Sequence, residues 1–319
     1  MISQKVAEMR KITILIPCYN EQESLPSLYE SLIEMADSQG NYVWEFLFIN
    51  DGSTDSTLQV IKSYRENDSR ISYLDLSRNF GKECAMLAGF DYAKGDAVVI
   101  MDADLQHPAT IIPQMVTKWE EGYNDVYGQR INRGKESWSR KILTRLFYYI
   151  LQKSASYDVL PNVGDFRLLD AKCIKALRRL RENERYTKGM YAWIGFRKTS
   201  VMYETHDRYA GHTSFTIWGL FKLALDGITS STMFPLRLST IIGLIVSVLA
   251  FLYIIYMLLK VWFVGEPVAG HPTLIITIMF MGGLNLIFLG IVGEYLGRIF
   301  METKNRPVYL VNEYNEMAQ

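Results

Sequence analysis

Short apolar runs alternate with longer amphipathic segments through the first half of the chain. The apolar runs predict four strands and the amphipathic segments predict four helices. The predicted strands are Ile12–Ile16, Trp44–Asn50, Ile71–Leu76 and Ala97–Met101, and the predicted helices are Ser24–Ala36, Ser56–Glu66, Lys82–Ala93 and Pro108–Glu120. This alternation predicts an α/β domain with a mostly parallel sheet covered on both faces. No Gly-x-Gly-x-x-Gly follows the first strand, which disfavours a dinucleotide-binding domain.

The last third of the chain contains two uncharged apolar stretches, Leu238–Leu259 and Pro272–Gly293. Each has about 22 residues, enough for a helix to cross a hydrocarbon core about 30 Å thick. We predict two transmembrane helices, at 236–264 and 271–297. Two buried core helices are the alternative, but neither stretch has a polar face and aromatic residues gather at one end, as in an interfacial belt.

Basic residues lie outside the two stretches and are absent from the connection between them. Lys222 and Arg237 precede the first stretch, and Arg298, Lys304 and Arg306 follow the second. The positive-inside rule therefore predicts a multi-pass protein of the cytoplasmic (inner) membrane, with its α/β domain and both termini in the cytoplasm. The first ten residues lack the apolar core of a cleavable signal peptide.

Two further segments, 138–153 and 214–234, have one apolar face each. Basic residues flank the first, and the second directly precedes the first predicted span. Such helices can lie in the headgroup region of an anionic membrane. A helix packed on a soluble core has the same periodicity, so both interpretations stay open.

Composition excludes some classes of function. The 34 basic and 34 acidic residues balance, so no basic excess indicates a nucleic-acid partner. Cys18, Cys84 and Cys173 lie far apart and predict reduced thiols rather than a disulfide or zinc framework. His107, His206 and His271 have no spacing suited to a metal site, and we expect them to be structural or exposed.

Asp102 and Asp104 come directly after the fourth predicted strand. Ligands of open α/β sheets bind at the carboxyl ends of strands, and side chains at i and i+2 of an extended chain point the same way. Both carboxylates could therefore serve one Mg²⁺ or Mn²⁺ ion together with substrate phosphates, and Gln106 adds a neutral oxygen. A polar loop that caps the next helix is the alternative.

Polar motifs also follow the first two strands. The first ends in Pro17-Cys-Tyr-Asn-Glu21 and the second in Asn50-Asp-Gly-Ser-Thr-Asp55. Asp51 is placed to accept a hydrogen bond from the N–H of a base, and Gly52 allows close backbone approach. Helix capping is the favoured interpretation of Asp55.

These motifs, with Asp102-Ala-Asp-Leu-Gln-His-Pro108, resemble the family 2 glycosyltransferases, which have a GT-A fold. Four more motifs resemble the polyprenyl-phosphate glycosyltransferases, especially bactoprenol glucosyltransferases and dolichol-phosphate mannose synthases. They are Asn79-Phe-Gly-Lys-Glu83, Gly164-Asp-Phe-Arg-Leu168, Arg208-Tyr-Ala-Gly211 and Gly293-Glu-Tyr-Leu-Gly-Arg298. The resemblance covers essentially the whole chain.

The resemblance implies a Rossmann-like GT-A domain at 1–213, a possible interfacial helix at 138–153, a juxtamembrane helix at 214–234, the two spans, and a cytosolic tail at 298–319. It implies metal-dependent, inverting transfer of a hexose from a UDP-sugar, with UDP-glucose favoured, to undecaprenyl phosphate at the lipid bilayer. The product would supply a lipid-linked sugar for cell-envelope glycans. A homo-oligomer is expected, with a tetramer as one form.

The resemblance also implies a set of site residues. A catalytic carboxylate falls on Asp165. The metal site falls on Asp102, Asp104 and Gln106, the nucleotide-sugar site on Pro17, Tyr19, Glu21, Asp51 and Asp102, and the acceptor-phosphate site on Arg130, Arg140, Thr144 and Arg208.

Three points stay open in the sequence. A lipid phosphate is already largely ionised at neutral pH, so Asp165 has two possible roles: a base, or a group that orients the sugar or Arg167 and stabilises positive charge at the anomeric carbon. Relatives carry a lysine where this chain has Ser214, which puts one phosphate contact in doubt. The donor could instead be UDP-GlcNAc or an aminosugar nucleotide, and the chain could be a non-catalytic partner of a lipid-sugar flippase.

Overall fold

The computed structural model describes residues 9–131, 163–183, 185–204, 234–264 and 270–317. Segment 138–153 and nearly all of segment 214–234 lie outside these residues, as do Arg140, Thr144 and Arg208. The two interpretations of the amphipathic segments therefore stay predictions.

The centre of the sheet consists of four parallel strands. They are β1 (Lys11–Cys18), β2 (Val43–Asn50), β3 (Ile71–Leu76) and β4 (Ala97–Ile100), in the order β4-β1-β2-β3. The helices between and after them are α1 (Leu25–Asp37), α2 (Thr57–Asn67), α3 (Lys82–Tyr92) and α4 (Ile112–Glu120), the last preceded by a 3₁₀ turn at Ala109–Ile111. The sequence pattern predicted all eight elements, with boundaries that differ by at most a few residues.

Both flanks of the sheet include antiparallel strands, so the full sheet is mixed. The complete order is β7-β5-β6-β4-β1-β2-β3-β8, with β5 at Asp125–Arg130, β6 at Val163–Asp170, β7 at Lys198–Tyr203 and β8 at Val311–Asn315. Strand β6 runs antiparallel to β4 and β5, and β8 runs antiparallel to β3. Strands β5 and β7 pair in parallel, so parallel pairs occur in the centre and at one edge, and the antiparallel pairs of β6 and β8 were not predicted. Two short helices complete the domain: α5 (Ala171–Leu177) and α6 (Thr187–Trp193).

Alternate residues of the central strands fill two separate cores. Ile14 and Phe46 face the side covered by α1, α2 and α4, whereas Leu15 and Leu47 face α3 and α5. This separation follows from the two-residue period of a strand. Helix α3 lies very close to β1, because a Cβ atom on Gly89 would come within 2.4 Å of the Leu15 side chain.

Two long helices follow the domain: α7 (Phe234–Val264) and α8 (His271–Thr303). Within the described residues, one segment, Thr277–Thr303, is long and apolar enough to cross a membrane, and it is not buried inside the protein. In α7 the apolar segment Leu238–Tyr253 is shorter. One helix of the two thus has the length and composition of a span, and the pair of spans at 236–264 and 271–297 stays a prediction.

The chain after α8 returns to the domain as strand β8. Asn312 donates to Asp75 Oδ2 at 2.8 Å, and Glu313 accepts from Lys62 Nζ and from the Tyr73 hydroxyl, both at 2.6 Å. Residues 298–319 were predicted only as a tail, and no strand was expected there. The structure makes part of this segment the edge of the catalytic domain's sheet.

Candidate active site

A lysine bridges two carboxylates at the carboxyl edge of the sheet. Asp102 follows β4, Asp165 lies in the neighbouring strand β6, and Lys82 is the first residue of α3. The Lys82 Nζ atom lies 2.5 Å from Asp102 Oδ1 and 3.1 Å from Asp165 Oδ2. The topology thus brings together a predicted metal ligand, the predicted catalytic carboxylate and a cation that the sequence analysis gave no role.

The pKa values of Asp102 and Lys82 are shifted in the directions that favour their charged forms. Burial by itself would raise the pKa of Asp102, but the neighbouring Lys82 and His107 outweigh it and hold that pKa below its ordinary value. Burial would lower the pKa of Lys82, but the negative charges of Asp102 and Asp165 raise it overall. The cluster therefore contains an ammonium group and a carboxylate at neutral pH.

One oxygen of Asp165 has no hydrogen-bond partner. The residue is 8% exposed, and its Oδ1 atom is buried without a partner among the described residues. A buried polar atom of this kind costs free energy unless a ligand or water pairs with it. The Oδ1 atom of Asp165 can therefore accept a hydrogen bond from a bound ligand while Oδ2 contacts Lys82.

His107 belongs to a second polar chain that reaches Asp102. Its Nε2 atom lies 3.7 Å from Asp102 Oδ2, and its Nδ1 atom lies 2.9 Å from the Tyr203 hydroxyl. Arg130 Nε donates to the same hydroxyl at 3.2 Å, and the imidazole stacks on Phe166. These side-chain contacts connect the predicted acceptor residue Arg130 to the predicted metal ligand Asp102.

The remaining predicted metal ligands lie in the loop after β4. The Gln106 N–H donates to Asp104 Oδ1 at 3.1 Å, and Leu105 between them has a φ of 61°. In the described part of the chain, no group of three or more His, Cys, Asp or Glu side chains could hold a metal by itself. Two carboxylates and an amide oxygen nevertheless suit a hard cation that takes its other ligands from phosphates.

Asp51 supports a loop. It is 3% exposed, and its two oxygens accept from the N–H groups of Phe80 at 2.7 Å and Gly81 at 2.9 Å. Burial raises its pKa, and the two hydrogen bonds oppose that rise. A base N–H would have to use a second lone pair on one of these oxygens, so base recognition by Asp51 stays a prediction.

Gly52 makes a close approach to the same loop. Its φ is 63°, and a Cβ atom there would lie 2.4 Å from the backbone of Arg78 and Asn79. A larger residue would therefore be excluded both by backbone conformation and by space. The close approach expected at this glycine is thus to the chain itself.

The loops after β1 and β2 are tied together beside Tyr19, which is 47% exposed. The Thr54 N–H donates to Asn20 Oδ1 at 2.8 Å, and the Glu21 N–H donates to Thr57 Oγ1 at 2.8 Å. The carboxylate of Glu21 accepts from the Ser24 hydroxyl at 2.6 Å. These contacts fix the loops that contain Pro17, Tyr19 and Glu21. Asp55 accepts from the Thr57 N–H at 3.0 Å, but the N-cap residue of the helix is Ser56, so Asp55 lies one position before the capping site.

One predicted role of Asp165 required its side chain to contact Arg167. No hydrogen bond or ion pair joins the two side chains in the described structure. Arg167 instead pairs with Asp125 at 3.0 Å, donates to the Gly164 carbonyl and stacks over the ring of Tyr191 at 3.7 Å. The predicted orientation of Arg167 by Asp165 is therefore wrong in this structure. The partner of Asp165 is Lys82.

Sequence reasoning missed Lys82 and Tyr203, and it gave His107 only a structural role. A signal for Lys82 existed, because a lysine at the first position of a helix opposes the helix dipole. A residue type that is unfavourable for its local position often has a functional reason. Tyr203 gave no such signal, because it comes from a strand that the sequence pattern did not predict.

Two family models match the chain. Residues 13–178 match the model of glycosyl transferase family 2, and residues 234–299 match the GtrB C-terminal hairpin. The first match contains Lys82, Asp102 and Asp165. The second contains most of both long helices.

Full-length relatives also align with this chain. An uncharacterized glycosyltransferase of Synechocystis sp. is 42% identical over 95% of this chain and 95% of its own length. The bactoprenol glucosyl transferase of Shigella phage SfII is 39% identical over 95% of this chain and 98% of its own length. A prophage bactoprenol glucosyl transferase homolog of Escherichia coli is 38% identical over 94% and 98%.

Proposed function

This chain belongs to glycosyl transferase family 2, and we propose that it transfers a hexose from a UDP-sugar to a polyprenyl phosphate such as undecaprenyl phosphate. The enzyme class follows from the family. The lipid acceptor is supported by relatives named bactoprenol glucosyl transferases, which align over almost the whole chain. The same names favour glucose as the sugar.

The observation that carries the proposal is the Lys82–Asp102–Asp165 cluster. It lies at the carboxyl edge of the sheet, where α/β folds bind their ligands. It offers carboxylate oxygens for a cation, an ammonium group for a diphosphate, and an unpaired oxygen on Asp165 for the sugar. Nucleotide-sugar transfer needs these three kinds of group.

In the proposed reaction, a phosphate oxygen of the lipid forms a bond to the anomeric carbon as the bond to the UDP oxygen breaks. Attack from the face opposite the diphosphate inverts the configuration. The acceptor is largely ionised at neutral pH because its second pKa is about 6. Asp165 therefore stabilises positive charge developing on the sugar and has little need to remove a proton. Arg130, Arg140, Thr144 and Arg208 are proposed to hold the acceptor phosphate.

Asp102, Asp104 and Gln106 would hold Mg²⁺ or Mn²⁺, which when bound neutralises charge on the departing diphosphate. Pro17, Tyr19, Glu21 and Asp51 are proposed to surround the uridine. The exposed ring of Tyr19 offers a flat apolar surface to a base.

The two long helices are proposed to anchor the enzyme in the cytoplasmic membrane as a hairpin, with both termini in the cytoplasm. Apolar side chains along α7 and α8, including Leu249, Phe251, Leu286 and Leu289, are exposed. Exposed surface of this kind suits a lipid environment. We also propose that the protein is a homo-oligomer.

The test uses the purified full-length chain in lipid nanodiscs with Mg²⁺, polyprenyl phosphate and a panel of UDP-sugars. We expect UDP release that depends on the lipid phosphate and is fastest with UDP-glucose. Faster release with UDP-GlcNAc or an aminosugar nucleotide would reassign the donor. No release with any donor would contradict the proposed function and favour a non-catalytic partner of a flippase.

Asp165→Asn tests the assigned role, because it removes the negative charge but keeps the shape. We expect transfer to fall by about 100-fold or more, the loss typical of removing a group that stabilises charge in the transition state. Glu121→Gln is the matched control, since it removes an exposed carboxylate whose one ion-pair partner among the described residues is Lys118. Near-normal turnover of folded Asp165→Asn would exclude the role.

A further inference from the structure

Lys82 contacts a carboxylate that is also a proposed metal ligand. Its ammonium nitrogen lies 2.5 Å from Asp102 Oδ1, which is direct ion-pair contact. A divalent cation bound to the same carboxylate would place two like charges within a few ångströms of each other, a strongly unfavourable arrangement at a partly buried site. The metal ion and the Lys82 ammonium group therefore compete for Asp102.

The lysine has a second partner that it can keep. Asp165 Oδ2 lies 3.1 Å from Lys82 Nζ, so the ammonium can leave Asp102 without losing all of its counter-charge. The side chain is 42% exposed and can move toward the crevice. A diphosphate arriving there would offer the ammonium group new oxygens at the moment it gives up Asp102.

The position of Lys82 in the fold supports a mobile charge rather than a fixed structural one. It begins helix α3, where the helix dipole disfavours a cation. Only the two acidic side chains are described as its ion-pair partners, and both belong to the proposed catalytic site. Its contacts thus depend on what the site contains.

We propose that the Lys82 ammonium group competes with the divalent metal for Asp102. When the donor binds, its diphosphate pairs with Lys82, and Asp102 becomes free to bind the metal. This rests on the proposed metal site and deepens the proposed function. The metal alone then binds weakly, and the metal and the nucleotide strengthen each other's binding. By thermodynamic linkage, the factor by which UDP tightens metal binding equals the factor by which the metal tightens UDP binding.

The test measures Mn²⁺ binding to the full-length protein by electron paramagnetic resonance, with and without UDP. In wild type we expect weak binding of Mn²⁺ alone and clearly tighter binding with UDP. Lys82→Met removes the competing charge, so Mn²⁺ alone should bind about tenfold tighter or more, given the strength of close charge interactions. UDP should then tighten Mn²⁺ binding by a smaller factor than in wild type.

Two further variants make the result specific. Lys82→Gln removes the charge while keeping a polar side chain, and it must reproduce the tightening if Lys82→Met folds poorly. Lys118→Met is the matched control and should leave Mn²⁺ binding unchanged. Lys118 is an exposed lysine, and Glu121 is its one ion-pair partner in the described part of the chain.

Unchanged or weaker binding of Mn²⁺ to both folded Lys82 variants would overturn the proposal. This result is distinguishable from failure of the proposed function, because the assay needs no sugar transfer. If no UDP-sugar is ever consumed but Mn²⁺ binding tightens on removal of Lys82, the transfer proposal fails and the competition stands. If transfer occurs but removal of Lys82 does not tighten Mn²⁺ binding, the transfer proposal stands and the competition proposal fails.

Discussion

Two charged residues of β6 lie two positions apart but have different surroundings. Asp165 contacts Lys82 and keeps one oxygen unpaired, whereas Arg167 is enclosed by Asp125, the Gly164 carbonyl and the Tyr191 ring. The side chains of Arg167 and Asp125 are 4% and 3% exposed. Arg167 therefore stabilises the strand pair β5–β6, and Asp165 is the member of the pair left for chemistry.

Arg167→Met should destabilise the domain by about 3–5 kcal/mol, because breaking a buried ion pair leaves the other charge uncompensated. The double variant Arg167→Met, Asp125→Leu should recover part of this loss. Thermal and urea unfolding of the full-length protein would measure both. An unchanged unfolding midpoint for the single variant would show that the pair contributes little.

Tyr203→Phe tests the two hydrogen bonds through which the Tyr203 hydroxyl joins Arg130 to His107. Removing the hydroxyl leaves Arg130 Nε and His107 Nδ1 each without this partner, at a cost of about 1–3 kcal/mol. Since Arg130 is a proposed acceptor contact, we expect the KM for polyprenyl phosphate to rise more than the KM for the UDP-sugar. Tyr64→Phe on α2 is the control. Equal changes in both KM values would contradict the acceptor assignment.

At the scale of elements, the first eight could be predicted because the strands are mainly apolar and α1, α2 and α4 each have an apolar face. Strands β5 and β6 could not, since Gln129, Arg130, Asp165 and Arg167 interrupt their apolar pattern. Arg130, Asp165 and Arg167 are paired or belong to the site. The pattern therefore failed where the strands carry function and buried charge.

A charged cluster joins the ends of three elements. Arg70, just before β3, donates to Asp68 at the end of α2 and to Asp37 at the end of α1. Burial would raise the pKa of Asp68, but its hydrogen bonds with Arg70 outweigh burial and lower it. A carboxyl whose pKa is lowered by folding stabilises the fold above its unfolded pKa of about 3.9 and loses this contribution as pH falls through the folded pKa.

We therefore expect Asp68→Asn to be less stable than wild type at neutral pH, with the difference shrinking as the pH falls below about 4. Thermal unfolding of both proteins across this range would measure the difference. Glu66→Gln, which changes an exposed carboxylate on the same helix, should track wild type at every pH. A difference that stays constant with pH would contradict the assigned role of Asp68.

At the scale of the whole molecule, the C-terminal segment closes the chain onto its own domain. Strand β8 covers the edge of β3, and nearby contacts add to it: Asn183 donates to Glu302, and Arg181 and the Tyr309 hydroxyl both bond to Asp91. The helix proposed to enter the membrane is thus connected at its end to the catalytic domain. An uncovered strand edge would otherwise be open to pairing with another chain.

Removing residues 311–319 should destabilise the domain by about 2–4 kcal/mol, since several hydrogen bonds worth about 1 kcal/mol each are lost. We also expect self-association through the exposed edge of β3. Unfolding and light scattering of the truncated protein would measure these effects. Removal of residues 318 and 319 alone is the control, and equal behaviour of the two truncations would show that β8 is dispensable.

Some residues of the candidate site could be predicted from the sequence, and others could not. Asp102 and Asp104 were found because each follows an apolar run that ends at the sheet edge. The Lys82 contact depends on α3 beginning beside β4 and β6, which only the three-dimensional order of strands determines. Asp165 came from the resemblance alone, because a single acid in a polar strand has no local signature.

The most direct test of the central claim measures both products of one reaction. The full-length protein receives UDP-glucose, polyprenyl phosphate and Mg²⁺, and free UDP and lipid-linked glucose are quantified together in wild type and Asp165→Asn. We predict equal amounts of the two products in wild type, an inverted linkage, and loss of both products in the variant. UDP release without lipid-linked glucose, or equal products from the variant, would contradict the account.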